Sequence, residues 1–344
     1  MCRNHIIRVW VVLVAALGAL LGVVPAAQAG PQTTGPATAG RAGTLDPAAE
    51  SGRTLPDPVR PVNGPESGKP LTGQRPEQPA EVRLPRTGEV GLGELSRTLP
   101  DPSGAKVFQG RALDTCQAPS AEAMRAWRTS SPYRGVGVYI GGRGRACPDQ
   151  PHLTRGWMRE VDDSGWSVLP IYVGSQSPCV RSENKRHVRM ESSDGWGQGV
   201  REAEDAVNRA RGLGIAKDSP VYLDMEAYDR SDRDCADTTL SFVKGWSERV
   251  RQLGYLAGYY SSADSGIAHL ASARRAGHQG LPDVVWFARW KGTPSVDAEP
   301  VLGREDWKPH RRVHQYEGNV VRRYGGYRMQ IDSNQVDAPV ARVN

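Results

Sequence analysis

From Gly30 to Gly104 the sequence contains no Phe, Trp or Tyr, yet 13 of its 26 prolines fall there. A segment so poor in large apolar side chains cannot bury enough area to offset the entropy of ordering it. That excludes a packed core and predicts a Pro-rich, disordered and semi-rigid spacer over residues 30–105. Within it Arg53-Thr54-Leu55-Pro56-Asp57-Pro58 recurs as Arg97-Thr98-Leu99-Pro100-Asp101-Pro102. Two copies are too few for a solenoid; the repeat reads as a duplicated linker, with a short docking motif as the alternative.

Other absences narrow the chemistry. No two cysteines have C-x-x-C spacing, which argues against a zinc cluster. There is no G-x-S-x-G elbow and no H-E-x-x-H, so serine hydrolases and zincins are removed. Trp196-Gly197-Gln198-Gly199 lacks a following Lys-Ser/Thr and is not a phosphate cradle. No metal and no cofactor is expected. The basic residues are scattered rather than gathered in a stripe with aromatics, so no nucleic-acid partner is expected.

The N-terminus sets the compartment. Arg3 and Arg8 lead into an apolar stretch from Val9 to Val24, and Ala27-Gln28-Ala29 supplies a small-x-small cleavage signal. This pattern predicts a signal peptide over residues 1–29 and a secreted chain. The apolar stretch is short for a membrane span and is followed at once by Pro25, so no stable span is expected after cleavage; an uncleaved anchor is the alternative. No arginine pair precedes the stretch, which favours general secretion over folded export. Cys2 leaves with the signal. Four cysteines then remain, Cys116, Cys147, Cys179 and Cys235, and an even number in an exported chain predicts two disulfides with three possible connectivities.

Residues 106–344 hold 22 of the 23 aromatics, enough to build a core of single-barrel size. Their 34 basic and 29 acidic residues leave a net charge of +5, which suits an anionic wall surface, and a monomer is expected. Short runs rich in Val, Ile, Tyr and Trp read as buried strands: 107–114, 135–141, 166–173, 221–226, 255–260, 284–290, 312–316 and 329–332. Helical periodicity falls between them at 120–130, 154–161, 200–213, 238–253 and, less clearly, 261–275. Eight strands alternating with helices predict an α/β fold, a single closed (β/α)8 TIM-like barrel of parallel strands, with an open doubly wound sheet as the alternative.

In such a barrel the reacting groups come from the C-terminal ends of the strands. Asp114 closes the first run, Asp224 and Glu226 the fourth, and Asp332 the eighth, so sequence order predicts that four carboxylates converge at one mouth. Positions i and i+2 of a strand point the same way, ~7 Å apart. Two carboxylates that close in a partly dry cleft repel, so one should hold its proton more tightly than the other. Glycoside hydrolysis requires that division between an acid for the leaving oxygen and a charged group for the cationic transition state. Tyr139, Tyr172, Tyr260, Trp286 and Trp290 stand at strand ends as candidate sugar platforms, with core packing an equal alternative. His314 reads first as a satisfied core histidine, with polarising the site as the alternative, and Arg289 as an ordinary surface arginine, with pairing to Glu226 or Asp224 as the alternative.

Gly110–Leu113 leading into Asp114-Thr115-Cys116, then Gly137-Val138-Tyr139-Ile140-Gly141-Gly142, Tyr222-Leu223-Asp224-Met225-Glu226-Ala227-Tyr228, Gly258-Tyr259-Tyr260-Ser261-Ser262, His314-Gln315-Tyr316 and Ile331-Asp332-Ser333-Asn334 carry a resemblance. Over residues 110 to 336 the chain resembles the actinobacterial glycoside-hydrolase-like domain of the Rv2525c type, which is in turn similar to the family 25 muramidases. The resemblance implies a barrel that acts on peptidoglycan or another cell-wall polysaccharide. It implies Glu226 as proton donor and Asp224 as the group that stabilises charge or positions an acetamido group. Asp114 and Asp332 would shape the subsite, and Gln315 would match a Gln-x-Tyr-like element. The cysteines are not part of the muramidase pattern. Because they follow the first four runs in order, adjacent loops favour Cys116–Cys147 and Cys179–Cys235. The rival to an enzyme is a non-catalytic carbohydrate-binding or envelope module on the same barrel. A metal-dependent phosphodiesterase would need a tighter set of acids and histidines.

Overall fold

The computed structural model describes residues 104–344. The signal peptide read at 1–29, the repeated hexapeptide and all but the last two residues of the 30–105 spacer lie outside the described residues. Eight strands close a barrel in sequence order: β1 (Lys106–Asp114), β2 (Gly135–Gly141), β3 (Ser167–Tyr172), β4 (Pro220–Asp224), β5 (Leu256–Ser262), β6 (Val284–Ala288), β7 (Arg312–Tyr324) and β8 (Tyr327–Val340). Five α-helices lie between them: α1 (Ala121–Ser130), α2 (Arg155–Asp163), α3 (Gly195–Gly212), α4 (Arg233–Gln252) and α5 (Ala268–Arg275). The first four start on side-chain caps, Ser120, Thr154, Asp194 and Asp232, each accepting from a backbone N–H three residues on. Such a cap satisfies a donor that the first turn leaves without a partner. The buried faces follow the periodicity: Ala123, Met124 and Trp127 on α1, and Phe242, Trp246 and Val250 on α4.

Pairing of β1 with β8 closes the ring and excludes the open doubly wound sheet. The strands from β1 to β7 pair in parallel, but β8 runs antiparallel to both of its neighbours, which corrects the expectation of eight parallel strands. The reason is local. Gly325 and Gly326 both adopt positive φ, as a two-residue hairpin turn requires, so the chain reverses directly and has no room for a crossover helix. Among the described residues, 289–311 form no helix either.

Successive strand residues alternate between the barrel interior and the shell under the helices. Leu169, Ile171, Tyr222, Trp286 and Val313 fill the interior, with Tyr139 and Tyr260 packed on them nearer the mouth. Their neighbours Val168, Tyr172, Leu223, Tyr259 and Phe287 join the helix-facing core. The disulfides are Cys116–Cys147 and Cys179–Cys235, the pairing that adjacent loops favoured.

Candidate active site

Asp114 and Asp224 are the last residues of β1 and β4, and both are buried. Asp332 reaches the same mouth from the interior of β8, in register with Asp114. Its convergence was expected, but its position at the C-terminal end of a strand was not found, because β8 is reversed. β4 ends at Asp224, so Glu226 lies past the strand rather than two positions along it. All four carboxylates nevertheless line one cavity of about 780 Å³, together with Tyr139, Arg145 and Lys185.

Asp114 is tied down by three donors. Tyr139 Oη donates to Oδ1 at 3.0 Å, while Asn334 Nδ2 at 2.8 Å and Gln315 Nε2 at 3.2 Å donate to Oδ2. Burial still pushes its pKa up from 3.8 to about 7, the nearby charge of Asp332 adding to the rise and the three donors opposing it. Burial also raises Asp224 well above the ordinary carboxylate range, with Glu226 reinforcing the shift and Lys185 countering it. Its Oδ1 is buried and has no hydrogen-bond partner. Asp332 is raised by burial and steadied by the Asn319 backbone N–H, which donates to Oδ1 at 2.5 Å. Glu226 is more accessible than Asp114 and Asp224, its side chain 36% exposed, and Lys185 Nζ stands 3.9 Å from it. Among the described residues no three His, Cys, Asp or Glu side chains are placed to hold a metal.

Gln315 is the hub between this cavity and a second one of about 350 Å³ lined by Glu226, Tyr260 and Trp290. Its Oε1 accepts from Tyr260 Oη and from Trp290 Nε1, each at 3.0 Å, while its amide faces Asp114 and, at 3.4 Å, Asp332. Trp290 is 48% exposed at this second cavity. One expected platform is misplaced, and two weaker candidacies go the way of their alternatives. Tyr172 points away from the mouth, donating to Asp205 at 2.9 Å and packing on Trp246, because strand alternation sends it to the helix side. His314 likewise faces outward, stacked on Phe287 with its ring nitrogens against the Ser295 and Arg289 carbonyls. Arg289 pairs with Asp264 and Glu299 rather than with Asp224 or Glu226. Trp286 is buried in the barrel interior, its Nε1 on Asn334 Oδ1.

The sequence pattern of the Rv2525c-like, glycoside hydrolase-like domain matches residues 125–336, the span that carries β2 to β7, most of β8, Asp224, Glu226 and Asp332. The chain belongs to that family. Asp114 precedes the matched span. Among solved structures this Rv2525c-like chain is similar to the Tat-secreted protein Rv2525c of Mycobacterium tuberculosis, with 18% identity, 67% of this chain and 96% of that one covered, and a TM-score of 0.44. It is also similar to an uncharacterised B. stearothermophilus protein, with 20% identity, 66% and 95% coverage and a TM-score of 0.43. For a muramidase of Acremonium alcalophilum the figures are 15%, 67%, 94% and 0.40. No curated protein sequence matches.

Within this Rv2525c-like barrel, several residues to which the sequence motifs assigned no role build the site. Gln176 is fully buried in the loop after β3. Its Nε2 donates to the Asp224 carbonyl at 2.9 Å and its Oε1 accepts from the Glu226 N–H at 2.8 Å, so one side chain clamps the backbone on both sides of Met225. Lys185 arrives on a 3₁₀ turn, Glu183–Val188, and is 12% exposed. Asn334, two places after Asp332, holds Asp114. The period of two along β8 was the available signal for Asn334; Gln176 and Lys185 sit in loops that carry no periodic signal.

Proposed function

We propose that this chain is a secreted glycoside hydrolase acting on a cell-wall glycan, with peptidoglycan the expected polymer. The observation that carries the reading is the buried Asp224 Oδ1 without a partner, at the floor of a cavity it shares with the more accessible Glu226. A buried polar atom left unpaired costs about 1–3 kcal/mol, which a ligand group can recover. Glu226 reaches the glycosidic oxygen and gives it a proton, while Asp224 turns its unpaired oxygen to the acetamido group of the sugar and positions it. Asp114 and Asp332, held by Gln315, shape the floor. Tyr260 and Trp290 offer stacking and hydrogen-bonding surface in the second cavity, on the other side of Glu226. Purified wall material incubated with the protein should gain new reducing ends. Glu226→Gln should slow their release about 10²–10⁴-fold with no loss of folding.

The Lys185–Glu226 contact favours a second reading, in which the same barrel binds glycan without cleaving it. A cation spent on the intended proton donor is not required by the hydrolytic scheme. Glycan binding by the unmodified protein, with no reducing ends released from any wall fraction, selects that reading.

A further inference from the structure

The cavity that holds the four carboxylates also carries basic groups. Arg145 lies in the loop after β2, Lys185 in the 3₁₀ turn after β3 and Arg328 near the start of β8, and all three line the same space. Lys185 is partly committed to Glu226 and to the Gly144 carbonyl, 2.7 Å from its Nζ. Arg145 is not. Its Nε donates to the Gly142 carbonyl at 3.2 Å, and among the described residues its two terminal nitrogens meet no acceptor and no carboxylate. Arg209 acts on it as a like charge, and two acids act on it from beyond ion-pair distance: Asp205, already taken by Arg209 at 2.8 Å and by the Tyr172 hydroxyl at 2.9 Å, and the exposed Asp149. A half-buried guanidinium with free donors, on a residue that lines a cavity, is suited to a planar anion.

The loop that presents Arg145 is fixed before any ligand arrives. Gly142 has φ +97°, where a Cβ would lie 2.0 Å from the Val173 carbonyl oxygen. The Gly144 N–H donates to that same carbonyl at 2.8 Å, and Cys147, two residues past Arg145, is bonded to Cys116. An ordinary surface arginine keeps its rotamers and its hydration; this one is carried on a braced loop, which lowers the cost of ordering it on a ligand.

We propose that Arg145, backed by Lys185 and Arg328, forms an anion subsite, so that the ligand is an acidic glycan whose sugar bears a carboxylate. The proposal rests on the glycan-site reading and adds the charge of the sugar to it. The carboxylates on the floor do not forbid such a ligand. Burial holds Asp114 and Asp224 towards their neutral forms, so near neutral pH the cavity carries less negative charge than four acids suggest. The source of the carboxylate is either a lactyl ether, as on muramic acid freed of peptide, or a uronic acid.

The test is calorimetric titration of the full chain carrying Glu226→Gln, so that cleavage does not consume the ligand. Four probes are used: peptide-free peptidoglycan strands with free lactyl carboxylates, the same strands converted to methylamides, hyaluronan oligosaccharides and neutral chitin oligomers. The acidic strands or the hyaluronan oligosaccharides should bind about tenfold more tightly than the methylamides and chitin, and added salt should narrow the gap. Whichever acidic probe binds more tightly identifies the source of the carboxylate. A further Arg145→Gln change should bring the acid-to-amide ratio close to one, and Arg145→Lys should restore part of it. The ratio is internal to each protein, so a general loss of affinity does not mimic the result. Equal binding of acid and amide, or a ratio that survives Arg145→Gln, overturns the anion subsite while leaving a glycan site standing. Failure of all four probes to bind overturns the glycan site and this inference with it.

Discussion

Asp114 on β1 and Asp224 on β4 end their strands three places apart round the barrel, and both are buried. Asp114 accepts from Tyr139, Gln315 and Asn334, whereas Asp224 presents an oxygen that accepts from nothing. The first half of the site is finished by the protein itself and acts as scaffold. On the proposed reading, the ligand completes the second half. A fold retains a buried unpaired acceptor at a cost, so the contrast points to Asp224 and Glu226, not Asp114, as the groups that meet the ligand.

Substitutions on each half test that contrast. Asp224→Asn should produce the largest effect on function, slowing reducing-end release about 10²–10⁴-fold, while calorimetry finds a Tm no lower than that of the unmodified protein. A collapsed Tm with cleavage retained would reverse the roles of the two halves. Asp114→Leu should do the opposite in kind. It strands three buried donors and should cost about 3 kcal/mol in urea unfolding with an unchanged slope.

A smaller effect follows from the raised carboxyls. Asp114, Asp224 and Asp332 bind protons more tightly folded than unfolded, so the unfolded chain releases protons first as pH rises and stability falls. For Asp114 the loss spans the window from its ordinary 3.8 to about 7. Melting should therefore occur at a higher temperature at the acid end of that window than above it, and Asp114→Asn should flatten the profile. A profile that rises with pH across the window contradicts the buried, proton-holding floor. Tyr172→Phe should matter least. It removes one hydrogen bond to Asp205 on the helix side, about 0.5–1.5 kcal/mol, and reducing-end assays should find cleavage unchanged.

Much of the barrel was legible because its signals are local. The Val- and Ile-rich runs and the apolar faces of Phe242, Trp246 and Val250 follow from period two and period 3.6. Tyr172 was misplaced because every residue of β3 is buried, so the sequence shows no polar alternation to tell the interior face from the helix face. His314 is one residue out of phase with Gln315, and that single step reverses its direction. The Gly325-Gly326 pair was a readable hairpin signal; with it, the reversal of β8 follows from the sequence.

The sequence by itself determined the centres of the strand runs, the four acids and the four cysteines, since each depends on residue type and short-range spacing. Only the tertiary structure decided which acids are satisfied and which are not. Asp114 finds its partners on β2, β7 and β8, up to 220 residues away, and Asp224 and Glu226 are set by a glutamine from a loop after a different strand. Burial and long-range hydrogen bonds set the electrostatics of a carboxylate, and neither exists until the barrel has closed.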